Sequence, residues 1–308
     1  MLFTLGSGLL WAVLFYSIGA LGWGLFIGLP FMLGALLGYG GRFRGWMGIL
    51  LGPMSLLLCV VLLVAMLMMG GFAGMFCGLI LMVFLVPVGV GGLFFGIFAA
   101  RALAAILKQT AFSQREYLPL LLVIFLLPGV AHLMQVMFAP PIAVETVETT
   151  QSVGAGPMSA WDAWVFYEEV EHRPPWLLRF GLPTPSHVEG RIVAVGDREV
   201  CVYTGDARLV KQGTAVEPGQ LLAFDVVEQH HFEDRSIRLI DGSFRFEPTG
   251  SSATDVTLTT RYEPLLRPRA LWRPIEHTVA HQLHGHVLEG MRREIADRQY
   301  ADSAEYTR

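Results

Sequence analysis

Charge is spread so unevenly along this chain that its two halves cannot share one solvent. Within residues 1–144 the only formally charged side chains are Arg42, Arg44, Arg101, Lys108, Arg115 and Glu116. That stretch holds five of the 22 basic residues and one of the 26 acidic ones, a net of +4, and the remainder carries −8. Such segregation predicts two parts, one solvated by lipid and one by water. The expected division is a helical membrane region at 1–140, a folded domain at 141–298 and a C-terminal tail at 299–308.

The apolar half runs too long for a cleavable signal peptide, whose apolar core is short. A membrane helix needs ~20 apolar residues to cross a ~30 Å hydrocarbon core. Residues 2–40 are uncharged and hold two helices if the chain folds back near 17–24. Residues 45–69, 72–98 and 117–138 supply one span each, so an all-α bundle of about five spans is expected, or four if 2–40 crosses once. Small-residue spacings at Gly24/Gly28, Gly34/Gly38, Gly70/Gly74/Gly78 and Gly92/Gly96 favour close helix packing.

Basic residues gather on the cytoplasmic side of a membrane. Arg42 and Arg44 form one loop cluster, and Arg101, Lys108 and Arg115 another, with two spans between them. Both clusters are therefore expected to be cytoplasmic, which carries the C-terminal domain across the membrane. The chain is expected to be an integral protein of a cytoplasmic membrane of the bacterial inner-membrane kind, with membrane lipids as its surroundings. The spans hold no ionisable group except His132, with Gln135 one turn on. A conducting or transporting machine would be expected to carry more, so this half reads as an anchor. Cys59, Cys77 and Cys201 leave no internal disulfide for the soluble part.

The water-soluble half starts with IAVETVETTQSV (142–153), which alternates and is rich in β-branched residues, as a strand should be. SAWDAWVFYEEV (159–170) reads as a helix capped by Ser159. A short helix, WLLRFG, follows Pro174–Pro175. Period-two segments at 187–195, 198–211, 220–229, 236–248 and 254–263 read as strands separated by Gly, Pro and Asp turn signals. A helix over roughly 270–298 closes the chain. One long helix laid across an open antiparallel sheet covers its apolar face, and a cleft between the two is a default ligand site.

This order of elements, with REVCVYTGDARLV (198–210), PGQLLAFDVVE (218–228), GSFRFEPTGSSATDVTLTTRYEP (242–264) and ALWRPIEHTVAHQLHGHVLEGMRREIAD (270–297), resembles the SRPBCC, or START-like helix-grip, superfamily. That group includes polyketide cyclase/dehydrase-like proteins, lipid-transfer START domains and the birch-pollen-allergen fold. The resemblance spans residues 142–298 and implies an α+β helix-grip domain with a cavity for a lipid or other hydrophobic small molecule. It implies no particular reaction, because one fold hosts many functions. Three roles remain open: a binder of a hydrophobic ligand, a cyclase/dehydrase-type enzyme, and a non-catalytic membrane scaffold.

The closing helix contains HTVAHQLHGHVLEGM (277–291), with four of the chain's nine histidines. Ile275, Val279, Leu283, Val287 and Met291 are expected to form its apolar stripe. His277, His281 and His284 lie on one side of the helix, at the stripe's edge beside Leu288. His286 points elsewhere, to solvent or a neighbouring loop. Three ligands along one straight helix cannot surround a tetrahedral ion unaided. Glu276 or the His230–His231 pair would have to complete a metal site, and no HExxH pattern is present. No metal and no cofactor is expected. His281 and His284 are the candidate catalytic groups if proton transfer occurs, with Glu276, Asp225 or Glu263 as the nominated partner carboxylate. The favoured reading is that the histidines border a ligand site and supply hydrogen bonds.

The expected ligand-lining set is Trp164, Trp176, Phe180, Phe224, Phe244, Phe246, Tyr262, Trp272, His277, His281, His284 and Leu288. Trp176 and Phe180 have a second expected use at the membrane interface. Arg173, Arg179, Arg267, Arg269 and Arg273 are placed to meet lipid phosphates or are plain surface. GVGGLFFG (89–96) lies inside an apolar span and reads as helix packing, not as a phosphate loop. The acidic C-terminal half argues against a nucleic-acid partner. Oligomeric state has no signature in the residues.

Overall fold

A computed structural model describes residues 2–40, 72–106, 114–165, 172–180, 182–230, 236–250 and 252–305, with scattered positions between 53 and 65. The chain divides into two compact units, Met1–Pro140 with Leu266–Arg269, and Pro141–Leu265 with Ala270–Arg308.

The first unit is helical. Helix α1 (Leu2–Ser17) ends before a turn at Gly19, a π-helical turn Gly24–Gly28 leads into α2 (Leu29–Gly40), and α3 (Phe72–Ile106) and α4 (Gln114–Met137) follow. The small-residue spacings act as expected at three of the four places. A methyl group on Gly34 or Gly38 of α2 would overlap backbone oxygens of Gly89 or Leu93 on α3. In return, Gly92 and Gly96 of α3 lie against the backbone of Phe31 and Ala35. Gly24 and Gly28 press on Pro128 of α4. Backbones this close gain dispersion contacts that bulkier residues would prevent. Gly70 and its spacing fall partly outside the described residues.

Among the described residues one helix, Pro119–Met137, is long and apolar enough to cross a membrane, where about five were expected. Phe3–Ser17, Gly24–Tyr39 and Pro87–Ala102 are shorter apolar helices. The uncharged stretch 2–40 falls short because the break between Ser17 and Gly24 divides it into two pieces, each under the ~20 residues a span requires. The expected span at 45–69 lies largely outside the described residues. The unit exposes large apolar side chains, including Phe94, Phe98, Leu133 and Phe138.

The second unit is a seven-stranded antiparallel sheet closed by one long helix. Its strands are β1 (Glu145–Val153), β2 (Pro185–Gly190), β3 (Arg198–Tyr203), β4 (Arg208–Glu217), β5 (Leu221–His230), β6 (Ile237–Pro248) and β7 (Thr254–Pro264). The spatial order is β1-β7-β6-β5-β4-β3-β2, so β1 joins the last strand and the rest forms a meander. Register shifts on the β2–β3, β4–β5 and β6–β7 ladders bend the strands. Helix α5 (Pro157–Val165) and a 3-10 turn (Trp176–Phe180) sit in the β1–β2 connection, and α6 (Arg269–Glu305) ends the described chain. This is a helix-grip arrangement.

Two expected element boundaries in this unit need correction. The segment 198–211 is not one strand: it folds back at Thr204–Asp206, where Gly205 and Asp206 both adopt positive φ, 77° and 61°. Thr204-Gly205-Asp206 carries the turn chemistry for this, but the apolar alternation on both sides masked it. The closing helix also runs past the expected boundary at 298, to Glu305, so most of the expected tail is helical.

The core lies between the sheet, α5 and α6. It joins Trp161 and Trp164 to Phe224, Phe244, Phe246, Val256 and Leu258 of the strands and to Leu288, Met291 and Ile295 of α6. The buried face of α6 is therefore rotated from the expected stripe. Ile275, Val279, Leu283 and Val287 are only half-buried. A run at strict four-residue spacing drifts about 40° per step around an α-helix. Positions 284, 288, 291 and 295 stay on one side and are all buried, with Trp272, His286 and Gly290 the other buried positions of the helix.

Candidate functional site

The sheet's inner face is largely apolar, and among the described residues it carries one buried ion pair. Glu199, Cys201 and Tyr203 are the buried positions of β3, and Leu209, Lys211 and Gly213 those of β4. Antiparallel pairing sets Glu199 directly opposite Lys211. The Lys211 ammonium lies 3.2 Å from Glu199 Oε1, and the Cys201 thiol donates to the same oxygen at 3.4 Å. Lys211 Nζ also stands 4.7 Å from the ring centre of Phe224 and 5.7 Å from that of Trp164, within cation–π range.

Burial alone would lower the Lys211 pKa, but it is raised overall, and near neutral pH it is the Glu199 carboxylate that holds the ammonium charged. Burial pushes the Cys201 thiol up to about 11, so it is neutral and a poor nucleophile near neutral pH. Burial likewise raises Tyr203. The cluster is thus a charged pair flanked by two neutral groups, set in an aromatic wall. Trp164 and Phe244 meet at 3.8 Å between ring centroids, and Trp161 and Phe246 at 5.5 Å.

The expected lining residues divide by location. Trp164, Phe224, Phe244, Phe246 and Leu288 are buried in the core between sheet and helices. Tyr262 is buried on β7 and donates from its hydroxyl to Glu276 Oε2 at 3.1 Å. Trp272 is buried near the start of α6, whereas Trp176 is 67% exposed on the 3-10 turn. Phe180 ends that turn, and its side chain lies outside the described residues.

The three grouped histidines have three environments. His284 is buried: Thr149 Oγ1 of β1 meets its Nδ1 at 3.1 Å, and Thr260 Oγ1 of β7 meets its Nε2 at 2.9 Å. Burial, then the neighbouring His281, lowers its pKa to about 4, so the ring is neutral at pH 7. His281 is exposed and shares the Thr149 hydroxyl at 2.9 Å. His277 is half-buried, 3.4 Å from Glu145 Oε2, which also pairs with Arg273 at 3.0 Å. None of the nominated carboxylates meets His281 or His284: Glu276 holds Tyr262, Glu263 pairs with Arg238, and Asp225 lies on β5. The neighbours of His281 and His284 are threonine hydroxyls, a seam that fixes α6 to the edge pair β1–β7.

His286 takes the loop partner of its two expected alternatives. It is buried and packs on His172 at 4.1 Å between ring centroids. Burial, His172 and Arg293 together lower its pKa to about 4. Among the described residues no three His, Cys, Asp or Glu side chains converge as metal ligands. His230 ends β5, and His231 lies outside the described residues.

The Lys211–Glu199 pair was not anticipated from the residues. Both occupy inward positions of period-two segments, which was the available signal, but a 198–211 strand read as continuous cannot oppose them. In the first unit, Gln135 Oε1 accepts the Trp23 backbone N–H at 2.6 Å, and His132 packs on Phe15.

No protein-family profile matches the chain, and no curated protein matches it in sequence. Among solved structures, the chain is similar to norcoclaurine synthase from Thalictrum flavum, at 11% identity over 51% of this chain and 88% of that one, TM-score 0.37. It is also similar to an uncharacterised protein from Bacillus thuringiensis, at 10% identity over 49% and 99%, TM-score 0.36. A protein from Thermus thermophilus is similar at 17% identity over 50% and 99%, TM-score 0.32. The strand order and the closing helix of this chain, rather than these distant likenesses, define its second unit as a helix-grip domain.

Proposed function

We propose that the protein is a membrane-anchored helix-grip domain that binds a lipid or other hydrophobic small molecule against the inner face of its sheet. The observation that carries this reading is the buried Lys211–Glu199 pair facing Phe224 and Trp164. A buried ion pair is often no more stabilising than apolar residues of the same volume. Ionisable groups retained in an aromatic interior therefore mark a functional-site candidate, and an apolar wall with a few convergent polar groups is the usual composition of a ligand site. The aromatic wall would select for apolar bulk, and the charged pair would orient one polar group of the ligand.

The anchor reading rests on the apolar helix Pro119–Met137 and the large apolar side chains exposed on the first unit. Only residues 138–144 separate that helix from β1, so the tether is short. By the distribution of basic residues, the helix-grip domain is extracytoplasmic. The engagement of His284 by two threonine hydroxyls favours a positioning role for that residue over proton transfer in a cyclase/dehydrase reaction.

Native mass spectrometry of the full chain, extracted gently with its own lipids, tests the binding role. A copurifying small molecule that the Lys211→Met/Glu199→Gln double variant no longer retains supports it. A bare protein that takes up nothing from a lipid extract rejects it. A reporter fused to the C-terminus that is active only in the cytoplasm rejects the orientation.

A further inference from the structure

The first unit contains a cavity of about 280 Å³ where α4 ends. Two kinds of wall meet there. Trp23, Met134 and Phe138 supply apolar surface, and Arg267 and Arg269 supply two guanidinium groups. No lining residue is acidic among those described. Arg267 Nη1 donates to the Pro140 carbonyl at 2.9 Å and Arg269 Nη1 to the Leu266 carbonyl at 3.4 Å, which holds both side chains at the cavity. A guanidinium carries five N–H donors in a fixed fork, well matched to phosphate oxygens. Gln135 adds its amide NH2, since its oxygen already accepts from Trp23.

Two guanidinium groups lining one cavity suit an anion. The other wall calls for a chain: Met134 and Phe138 are 57% and 76% exposed, and Leu133 and Met137 beside them are exposed as well. They form the end of the apolar surface of α4. We infer that this cavity seats the phosphate of a phospholipid headgroup, with the acyl chains running along the exposed face of α4. The inference rests on the membrane reading above, but not on the ligand proposed for the helix-grip domain. Inorganic phosphate shares the anion chemistry but leaves the apolar wall unused. A diacylglycerol uses that wall but not the arginines.

The test titrates the full chain, in a phosphate-free detergent, with phosphatidylglycerol, with a diacylglycerol of the same chains and with inorganic phosphate, read by native mass spectrometry. Phosphatidylglycerol is expected to bind at one site, and the Arg267→Gln/Arg269→Gln variant to bind it about tenfold more weakly or worse. Equal binding of diacylglycerol and phosphatidylglycerol by the unaltered chain overturns the inference without recourse to any variant. So does displacement by millimolar inorganic phosphate, which identifies a soluble-anion site. The Lys211→Met/Glu199→Gln chain is expected to bind phosphatidylglycerol normally, and loss there assigns the lipid to the helix-grip domain and overturns the inference. A chain that stays in the aqueous fraction of a liposome flotation overturns the membrane reading and this site with it, and leaves the helix-grip ligand to its own test.

Discussion

On β3 and β4 the helix-grip domain buries a charged pair, whereas along α6 it buries an imidazole that carries no charge. Lys211 keeps its charge because Glu199 stands opposite it across one ladder rung. His284 has no carboxylate beside it among the described residues, and two hydroxyls satisfy its nitrogens while burial excludes the proton. The difference teaches where a ligand can act. A neutral ring bonded at both nitrogens is complete in itself, while an ammonium beneath aromatic rings can still direct a bond to a bound molecule.

The largest expected effect comes from halving the charged pair. Lys211→Met leaves the Glu199 carboxylate buried without its cation and is expected to cost about 3–5 kcal/mol, seen as a lowered Tm of the full chain in detergent. Adding Glu199→Gln is expected to recover most of that loss. A double variant as unstable as the single one would mean that packing, not charge, is what the pair supplies.

Next comes the face of α6. Leu288→Ala is expected to cost about 2–5 kcal/mol and Val279→Ala, half-buried, about 1 kcal/mol. The reverse ranking would restore the originally expected stripe.

The neutral histidine predicts acid sensitivity. With a folded pKa near 4 against 6.5 unfolded, the unfolded chain binds the extra proton. The contribution of His284 to stability is complete above pH 6.5 and declines as pH falls toward 4, by about 3 kcal/mol in total. His286 acts in the same direction. Denaturant melts at pH 7, 5.5 and 4 on the full chain and on His284→Gln measure this, and an unchanged pH slope in the variant would remove His284 as the cause. A small effect is that of Thr149→Val, which strips a hydroxyl from both His281 and His284 and is expected to cost about 1 kcal/mol. A neutral result would show water replacing the hydroxyl.

Much of the architecture was legible locally. Strands β1, β5, β6 and β7 fall where β-branched alternation placed them, and the glycine spacings at 24/28, 34/38 and 92/96 mark real helix contacts. The misread hairpin at Thr204–Asp206 had a larger consequence. Had Thr204-Gly205-Asp206 been read as a turn, the antiparallel register would have set Glu199 against Lys211 and exposed the polar site in advance. Local alternation favoured one long strand because both arms of the hairpin share the same period. Among the described residues the spans fall short of five because the fold-back expected near 17–24 leaves two pieces that are each too short to cross, while the expected span at 45–69 lies largely outside the described residues.

Composition and periodicity alone determined the division of this protein into an apolar helical part and a sheet closed by a long helix. These are properties of neighbouring residues, set by solvent preference and by the geometry of a single turn or strand. Tertiary structure alone decided that Lys211 faces Glu199, that His284 lies on the buried face of α6, and that Arg267 and Arg269 line the cavity at the end of α4. Each depends on register, helix rotation or approach between residues far apart in the chain, and such pairings are chosen by the packing of the whole unit.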